Sequence, residues 1–307
     1  MFKYTLDNKR YHTLNYYFKN RYGKKTFKVS LNGNFSCPNK KNSNGCIFCS
    51  RLGSGDFAGN IEKDLITQFN EVKTIMENKW PNSYYIGYFQ ANTNTYAPLP
   101  ILKEKYETIL SLPNVVGLNI ATRSDAITKE CYDYLEELSK RTNLIVELGL
   151  QSIHEKTLKF INRGHDLVNF EQAVKELQKR NIETVVHIIN GLPGETKEDM
   201  IETVKYLNNL KIDGIKIHMI HIIEDTDLAD YYKEHPFHIL TKEEYIDIVV
   251  SQLEYLSPEI VIHRITGDPK KEDLIEPMWL LKKFCVLNDI DKELVKRDTY
   301  QGKKVEN

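Results

Sequence analysis

Apolar and polar positions alternate along the middle of the chain in a way that predicts short strands followed by amphipathic helices. The β-rich runs lie at 27–31, 84–90, 115–120, 144–150, 184–189 and 214–220. Stretches with helical periodicity lie between and after them, at 61–79, 100–110, 128–140, 155–161, 168–180 and 196–210. Strands that alternate with helices at this spacing are typical of parallel βαβ units. The pattern therefore predicts an α/β fold with a partial (β/α)6 TIM-like barrel.

The rhythm changes after residue 222. Residues 241–256 have the pattern of another amphipathic helix, 259–265 that of a further strand, and 272–288 that of a helix. No Pro-, Gly- or Ser-rich linker separates this part from the rest. We therefore expect a core over residues 1–222 and a C-terminal α/β extension over 223–307 that packs on it. In parallel α/β folds the chemistry lies at the carboxyl ends of the strands.

Composition and charge narrow the class of protein. The chain has 307 residues, of which 41% are hydrophobic, and it has no apolar run near the roughly 18 residues of a membrane span. We expect a cytoplasmic protein with no membrane partner. Residues 1–41 carry ten Lys or Arg against Asp7 alone, and tyrosines lie between these charges. Cations with interleaved aromatic residues are typical of RNA-binding segments, although tyrosines that pack on the barrel would give the same pattern.

Three of the five cysteines lie close together, directly after the first predicted strand. Cys37, Cys46 and Cys49 form a C-x8-C-x2-C pattern in a loop rich in Gly and Asn. Such clustering indicates metal ligation rather than disulfides. An iron–sulfur cluster fits three thiolates, while a structural zinc site with a fourth ligand from elsewhere stays open. Cys131 and Cys285 lie in helical runs, and we interpret both as structural residues.

The cysteine loop, with Phe48 before its last cysteine, resembles that of the radical S-adenosylmethionine (SAM) superfamily. Two later motifs, ELGLQS (147–152) and NRGH (162–165), resemble the branch that contains coproporphyrinogen oxidases and the elongator catalytic subunit. NGLPGET (190–196) resembles the turn that lies beside the adenine in that family. The chain is therefore identified as a member with a partial radical SAM barrel.

This resemblance implies a set of cofactors and site residues. Cys37, Cys46 and Cys49 would hold a [4Fe-4S] cluster whose open iron binds SAM, and an electron donor such as flavodoxin or ferredoxin would reduce it. Cleavage of SAM would give a 5′-deoxyadenosyl radical. The residues implied in SAM binding are Phe48 beside the adenine, Gln151 and Arg163 on the ribose and carboxylate, and Gly191 in the GLPG turn.

Two stretches depart from the usual family pattern. The Gly-Gly-Glu segment that holds the methionine amine is replaced by YFQANTNTYAP (88–98), where Gln90 and Asn92 are the substitutes we expect. Ala121 stands where the elongator branch often has a ribose-binding Glu. His187 occupies a position where some relatives have Asp, so it is either a cofactor contact or a core residue.

The whole chain resembles the bacterial YtqA/YhcC-like group, which includes MnmL-type tRNA-modification proteins. The resemblance rests on YHTLNYYFKNRYG (11–23), FQANTNTYAP (89–98), ITGDP (265–269) and the C-terminal VLNDIDKELVKRDTYQGKK (286–304). It implies action on the wobble uridine of tRNA, with carboxymethylaminomethyluridine converted to aminomethyluridine. Two alternatives stay open at this stage: radical chemistry on a small or porphyrin-like molecule, and a non-catalytic zinc-stabilised binding protein.

Overall fold

The computed structural model describes residues 2–50, 53, 55 and 57–305. Within them, seven parallel strands form one sheet in the order β1-β2-β3-β4-β5-β6-β8. The strands are β1 (Thr26–Leu31), β2 (Tyr84–Phe89), β3 (Val115–Thr122), β4 (Asn143–Gln151), β5 (Glu183–Asn190), β6 (Gly214–Met219) and β8 (Val261–Arg264). The sheet is curled into a half-barrel, as the alternation of strands and helices predicted.

Helices follow the strands and cover the outer face of the sheet. They are α2 (Leu65–Lys79), α3 (Leu99–Leu110), α4 (Lys129–Ser139), α5 (Glu155–Phe160), α6 (Leu167–Lys179) and α7 (Lys197–Asn209). Two begin with the caps that their sequences predict: Thr128 caps α4, and Thr196 forms a capping box with Asp199 at the start of α7.

Alternate residues of each strand face the helices and form the apolar core. In β4 these residues are Leu144, Val146, Leu148 and Leu150, all buried in one hydrophobic cluster. The residues between them, including Glu147 and Gly149, line the cavity inside the half-barrel. Because side chains of a strand alternate between its two faces, one face stabilises the fold and the other is free to carry polar groups.

The first helix closes the amino-terminal end of the barrel. Helix α1 (Leu14–Tyr22) follows a parallel bridge between Thr13 and Ile262. Tyr17 donates a hydrogen bond to Glu183, the first residue of β5, and Tyr22 donates to Asn143, the first residue of β4. The cysteine loop follows the carboxyl end of β1. Helix α1 and the basic residues that precede it therefore lie at the opposite end of the barrel from the cysteines, whereas Lys40 and Lys41 lie within the cysteine loop.

The residues after 222 contribute a strand to the same sheet, because β8 pairs with β6. The other elements here are β7 (Ile222–Ile223), α8 (Asp227–Glu234), α9 (Lys242–Tyr255), β9 (Leu274–Glu276) and α10 (Lys283–Lys296). The predicted helix over 272–288 was wrong in its first half, where β9 pairs antiparallel with β7. Pro277 explains this, since the residue before a proline is disfavoured in a helix.

Candidate active site

The three clustered cysteines line one cavity at the carboxyl end of the strands. Cys37, Cys46 and Cys49 are all half-buried and free of disulfides. A short 3₁₀ helix (Pro38–Lys40) follows the first of them, and the backbone N–H of Cys49 donates to the carbonyl of Cys46 at 2.9 Å. The thiols therefore point into a common space, as the sequence predicted.

The cysteine loop is fastened to the loop that follows β4. Asn39 Nδ2 donates to the carbonyl of Asn162 at 2.7 Å, and Asn162 Nδ2 donates to the carbonyl of Gly45 at 2.7 Å. The backbone N–H of Ile47 donates to Ile161 O at 3.1 Å. These bonds hold the cysteines beside the NRGH motif, which supplies the next group of site residues.

Two N–H donors approach the sulfur of Cys46. Asn39 Nδ2 lies 3.6 Å and Arg163 Nη1 lies 3.7 Å from Cys46 Sγ. Hydrogen bonds to cysteine sulfurs are among the interactions that tune iron–sulfur clusters.

Gln151 and Arg163 are brought together over the backbone of Gly149. A Cβ atom on Gly149 would lie 2.8 Å from Gln151 Nε2 and 2.9 Å from Arg163 Nη2, so any other residue here would displace the ends of these two side chains. The pairing of β4 with β5 is irregular between Gly149 and Gln151, and Gln151 has a φ of 77°. A non-glycine residue in this region carries strain, which is common at ligand sites.

Arg163 retains a buried donor without a partner. Its Nη2 donates to the carbonyl of Gly149, but its Nε makes no hydrogen bond and is buried. Buried donors are almost always paired in native proteins. The orphaned Nε and the guanidinium beside Cys46 therefore fit a carboxylate-bearing cofactor bound next to the cluster.

We expect Arg163→Gln to weaken SAM binding at least about tenfold, because a charge-assisted hydrogen bond would be lost. Equilibrium binding of SAM to the anaerobically reconstituted protein measures this effect. Arg180→Gln is the matched control, because Arg180 also has a buried Nε without a hydrogen bond but lies at the end of α6, where Glu136 and Glu176 pair with its guanidinium away from the cavity. Equal SAM affinity in the two variants would contradict the assignment of Arg163.

The other residues implied by the resemblance divide into two groups. Phe48, Gln90, Asn92 and His187 line the cavity with the cysteines. Gly191 does not: Leu240 and the end of β6 pack around it, and its N–H donates to Met200 Sδ at 3.2 Å. The roles of these residues in SAM binding stay predictions. Because Gly191 is packed in this way, other residues of the GLPG turn would have to make the contact with the adenine.

A layer of polar side chains, one from each strand of the sheet, crosses the interior beneath the cysteines. Its members are Lys28 (β1), Tyr88 (β2), Asn119 (β3), Glu147 (β4), His187 (β5), Lys216 (β6) and His263 (β8). We call these seven residues the interior layer. It replaces the apolar filling that is usual inside TIM barrels, which indicates that this space serves binding rather than stability.

Glu147 is the centre of the interior layer. Its side chain is fully buried, and its oxygens accept from Lys28 Nζ at 2.8 Å and Lys216 Nζ at 2.5 Å. Asn119 Nδ2 donates to it at 2.7 Å, and His187 Nε2 lies 2.8 Å away. Burial would raise the pKa of Glu147, but Lys216, Lys28 and His187 together hold it well below its usual value. The carboxylate therefore stays ionised and accepts a hydrogen bond from neutral His187.

Burial affects the basic members of the layer in the opposite direction. Burial, and then the charge of Lys216, lowers the pKa of His187 to about 4. Burial also lowers the pKa of Lys216 to about 7, although Glu147 opposes that shift. Charged forms are disfavoured where water is excluded. His187 is consequently neutral at physiological pH, and Lys216 is close to its midpoint.

The free energy of unfolding should fall in acid because of His187. Its pKa is about 4 in the folded chain and 6.5 ordinarily, so the unfolded chain binds more protons between these values. The contribution of His187 to the free energy of unfolding is therefore fully present above its ordinary pKa. It is lost as the pH falls toward the pKa of His187 in the folded chain. We expect wild type to lose roughly 2 kcal/mol more than His187→Gln between about pH 7 and 5. Urea unfolding measures this difference, and equal losses would contradict it.

Most of the interior layer was missed by the sequence interpretation, although the chain carries a sign of it. Lys28, Glu147 and Lys216 are charged residues inside otherwise apolar strands, at positions that alternate with core residues. A charge on the inner face of a buried strand needs a partner or a function. That period-two pattern could have identified the layer. His218 and His221 also line the cavity.

The remaining cysteines differ from each other. Cys131 is buried in α4, and burial raises the pKa of its thiol to about 12. Its interpretation as a small core residue agrees with this position. Cys285 is exposed on α10, so the expectation of a buried residue was wrong there. The helix begins later than predicted, which places position 285 in its first turn on the solvent side.

Known proteins show the same combination of fold and motifs. The chain matches the model of the radical SAM superfamily over residues 37–207, and that of the radical SAM C-terminal domain over 212–296. It is 48% identical over 305 residues to the uncharacterized protein YtqA of Bacillus subtilis, covering 98% of this chain and 95% of that protein.

Two further comparisons cover a smaller share of the chain. A tRNA uridine(34) acetyltransferase of Methanocaldococcus infernus is 28% identical over 137 residues, which are 44% of this chain and 25% of that protein. The solved structure of Elp3 from the same archaeon, lacking its N-terminus, superposes with a TM-score of 0.64 and 19% identity. The superposition covers 77% of this chain and 61% of the Elp3 chain, and it shows that the two chains share a fold. From its motifs, its half-barrel and the match over residues 37–207, the chain belongs to the radical SAM superfamily of enzymes, which use a [4Fe-4S] cluster and SAM.

Proposed function

We propose that this radical SAM enzyme modifies tRNA at the side chain of the wobble uridine and converts carboxymethylaminomethyluridine to aminomethyluridine. The observation that carries the proposal is the cavity, which joins the three cysteines to an interior of hydrogen-bonding and cationic side chains. A nucleobase with a polar, negatively charged side chain suits such an interior, whereas a large apolar molecule would leave its charges without partners. The match to a tRNA uridine(34) acetyltransferase supports the same substrate class.

Each part of the cavity has a separate task in this reaction. The bound cluster and SAM, reduced by a donor such as flavodoxin or ferredoxin, would supply the 5′-deoxyadenosyl radical that removes a hydrogen atom from the carboxymethyl carbon. Return of one electron from that carbon to the cluster would leave an imine, and its hydrolysis would release the two-carbon group as glyoxylate and leave the aminomethyl side chain. Cys37, Cys46 and Cys49 hold the cluster at the carboxyl end of the strands, and Arg163 orients the cofactor beside Cys46. The interior layer faces the substrate from below, where Tyr88 accepts a hydrogen bond from Lys216 at 2.8 Å.

The surface that would bind RNA is not the one that the N-terminal charges suggested. Helix α1 packs at the amino-terminal end of the barrel, and its tyrosines contact strand residues. Lys296 and Arg297 are engaged by Glu293 on their own helix, and Arg297 also by Asp247. Exposed Lys41 instead follows the 3₁₀ helix of the cysteine loop, and exposed Lys271 lies three residues after Asp268, which lines the cavity. We expect phosphate contacts there, since cations near the mouth reach the RNA backbone.

A small anionic metabolite is the second candidate substrate. The position of helix α1 favours it, because the cations of that helix lie at the amino-terminal end of the barrel, opposite the cavity, and give no support to RNA binding at the site. Salt distinguishes the two candidates. Binding of tRNA through several phosphates weakens steeply with ionic strength, whereas a single small anion that enters the interior depends on salt only weakly.

Nucleosides of tRNA from a deletion strain test the proposed function. We expect carboxymethylaminomethyluridine to accumulate and aminomethyluridine to disappear when mass spectrometry compares the deletion strain with its parent. A plasmid copy of the wild-type chain should restore the parental pattern, and a Cys46→Ser copy should not. Unchanged wobble uridines in the deletion strain would remove tRNA as the substrate and favour the small metabolite.

A further inference from the structure

Arg264 reaches the interior of the half-barrel because of a β-bulge. Strand β8 pairs with β6 through Ile262 and Arg264, which lie opposite Ile215 and Lys216, so His263 is the extra residue between them. A bulge turns a side chain that would otherwise face the other side of the sheet. As a result two consecutive residues face inward: His263 Nδ1 lies 3.0 Å from Lys28 Nζ, and Arg264 lines the cavity.

The guanidinium of Arg264 has no partner in the part of the chain that the structure describes. No hydrogen bond or ion pair involves it, although the side chain is partly buried in the cavity wall. Its neighbour across the strand pair is Lys216, which shares Glu147 with Lys28. Arg264 therefore adds a third basic side chain beside the two lysine partners of Glu147, in a cavity that Asp268 also lines.

The positive charges of Lys28 and Arg264 affect the pKa of Lys216. Burial first, and then the charges of Lys28 and Arg264, lower the pKa of Lys216 against the attraction of Glu147. Like charges that lie close together in a site without water raise the free energy of the unliganded protein. An anion placed between Lys216 and Arg264 would remove that cost.

We propose that Arg264 and Lys216 form a seat for a carboxylate group of the substrate inside the half-barrel. The inference deepens the proposed function and rests on it for the identity of the complete substrate. The planar fork of an arginine binds both oxygens of a carboxylate, and a lysine adds a point charge from the side. Glu147 and His187 hold Lys216 in place as positioning residues, since both contact the same side-chain network.

A phosphate would satisfy the same chemistry, but the depth of the seat favours a carboxylate. Lys216 is 6% exposed and belongs to the interior layer beneath the cysteines. The end of a base side chain can extend to this depth, whereas a nucleotide phosphate would bring its sugar and backbone with it. The seat would thus select the carboxymethylaminomethyl side chain over the aminomethyl product, which lacks the anion.

A pair of small probes tests the seat without RNA. N-Benzylglycine carries an aromatic ring and a carboxymethylamino group, and N-benzylglycinamide has the same shape with a neutral amide. We expect isothermal titration of the cluster-loaded, SAM-bound protein to show at least about tenfold tighter binding of the carboxylate probe. Arg264→Gln should reduce this preference to within about threefold, while its SAM affinity stays that of wild type.

Two controls separate a direct contact from a general effect of charge or folding. Lys28→Gln removes the same charge from the interior, but Lys28 does not line the cavity, so it should reduce the preference for the carboxylate probe less than Arg264→Gln does. Arg264→Gln breaks no contact of the described chain and should unfold no earlier than wild type. An equal loss of the preference in Lys28→Gln and Arg264→Gln would overturn the direct contact.

Other outcomes also contradict the seat. Weaker SAM binding by Arg264→Gln would assign the arginine to the cofactor, and Arg264-dependent binding of benzyl phosphate without binding of N-benzylglycine would assign it to a phosphate. Failure of the proposed function looks different. In that case the wild-type protein would still prefer the carboxylate probe and lose that preference in Arg264→Gln, while the wobble nucleosides of tRNA remained unchanged.

Discussion

Replacement of Cys46 by serine is expected to abolish SAM cleavage. Cys46 lines the cavity with the other two cluster cysteines and accepts N–H contacts from Asn39 and Arg163. A serine hydroxyl is a poor ligand for iron compared with a thiolate, so the variant should retain little iron and sulfide after anaerobic reconstitution. Release of 5′-deoxyadenosine under reduction should fall to the level found without protein.

Cys285→Ser is the matched control for this experiment. Cys285 is an exposed thiol on α10, and its replacement removes one sulfur without touching the cavity. The control should bind iron and cleave SAM as wild type does. Normal cleavage by Cys46→Ser, or zinc in place of iron in the wild-type protein, would contradict the cluster assignment and return the cysteines to a structural metal site.

Replacement of Glu147 by leucine is expected to have the largest effect on stability. The carboxylate is fully buried and holds Lys28, Lys216 and His187, so the variant leaves two ammonium groups without their partner. Breaking a buried ion pair on one side costs about 3–5 kcal/mol, a large part of the total for most domains. Denaturant unfolding at neutral pH measures the loss.

An exposed carboxylate provides the comparison for Glu147. Glu107 pairs with Arg141 on the surface, and both side chains are more than two-fifths exposed. Surface pairs of this kind contribute about 0–1 kcal/mol, so Glu107→Gln should unfold close to wild type. Similar unfolding of the two variants would mean that the interior layer is hydrated and carries little net interaction energy.

The sequence predicted the sheet because the physical causes of its strands are local. Each apolar run is short and is followed by a helical period, and the strand ends agree to within about two residues for most elements. The cysteine loop and the Gln151–Arg163 pair were also predictable, since parallel strands bring their carboxyl ends to one edge. Short-range pattern and topology were sufficient for this half of the site.

The other half depends on curvature, which no local pattern specifies. Lys28 and Glu147 are 119 residues apart, and they meet only because the sheet curls until β1 faces β4. The bulge at His263, which turns Arg264 inward, arises from the register of two strands 47 residues apart. The helix predicted over 272–288 was wrong in its first half for a local reason, Pro277, and the pairing of β9 with β7 then sets the conformation of that segment.

None of the helices in the described part of the chain is long and apolar enough to cross a membrane. The cavity is the feature that carries the proposed function. Its two ends have different chemistry: thiols and Arg163 at the carboxyl ends of the strands, and the interior layer with Arg264 beneath them. We infer that the radical is generated at the first end and that the second end selects the substrate.

The most direct test is a single reaction with tRNA from the deletion strain. The anaerobically reconstituted enzyme, SAM and a reductant are incubated with that tRNA, and both 5′-deoxyadenosine and the wobble nucleosides are quantified. We expect the tRNA to stimulate formation of 5′-deoxyadenosine while carboxymethylaminomethyluridine is replaced by aminomethyluridine. Formation of 5′-deoxyadenosine at a rate independent of tRNA, with every wobble nucleoside unchanged, would contradict the proposal that this enzyme acts on tRNA.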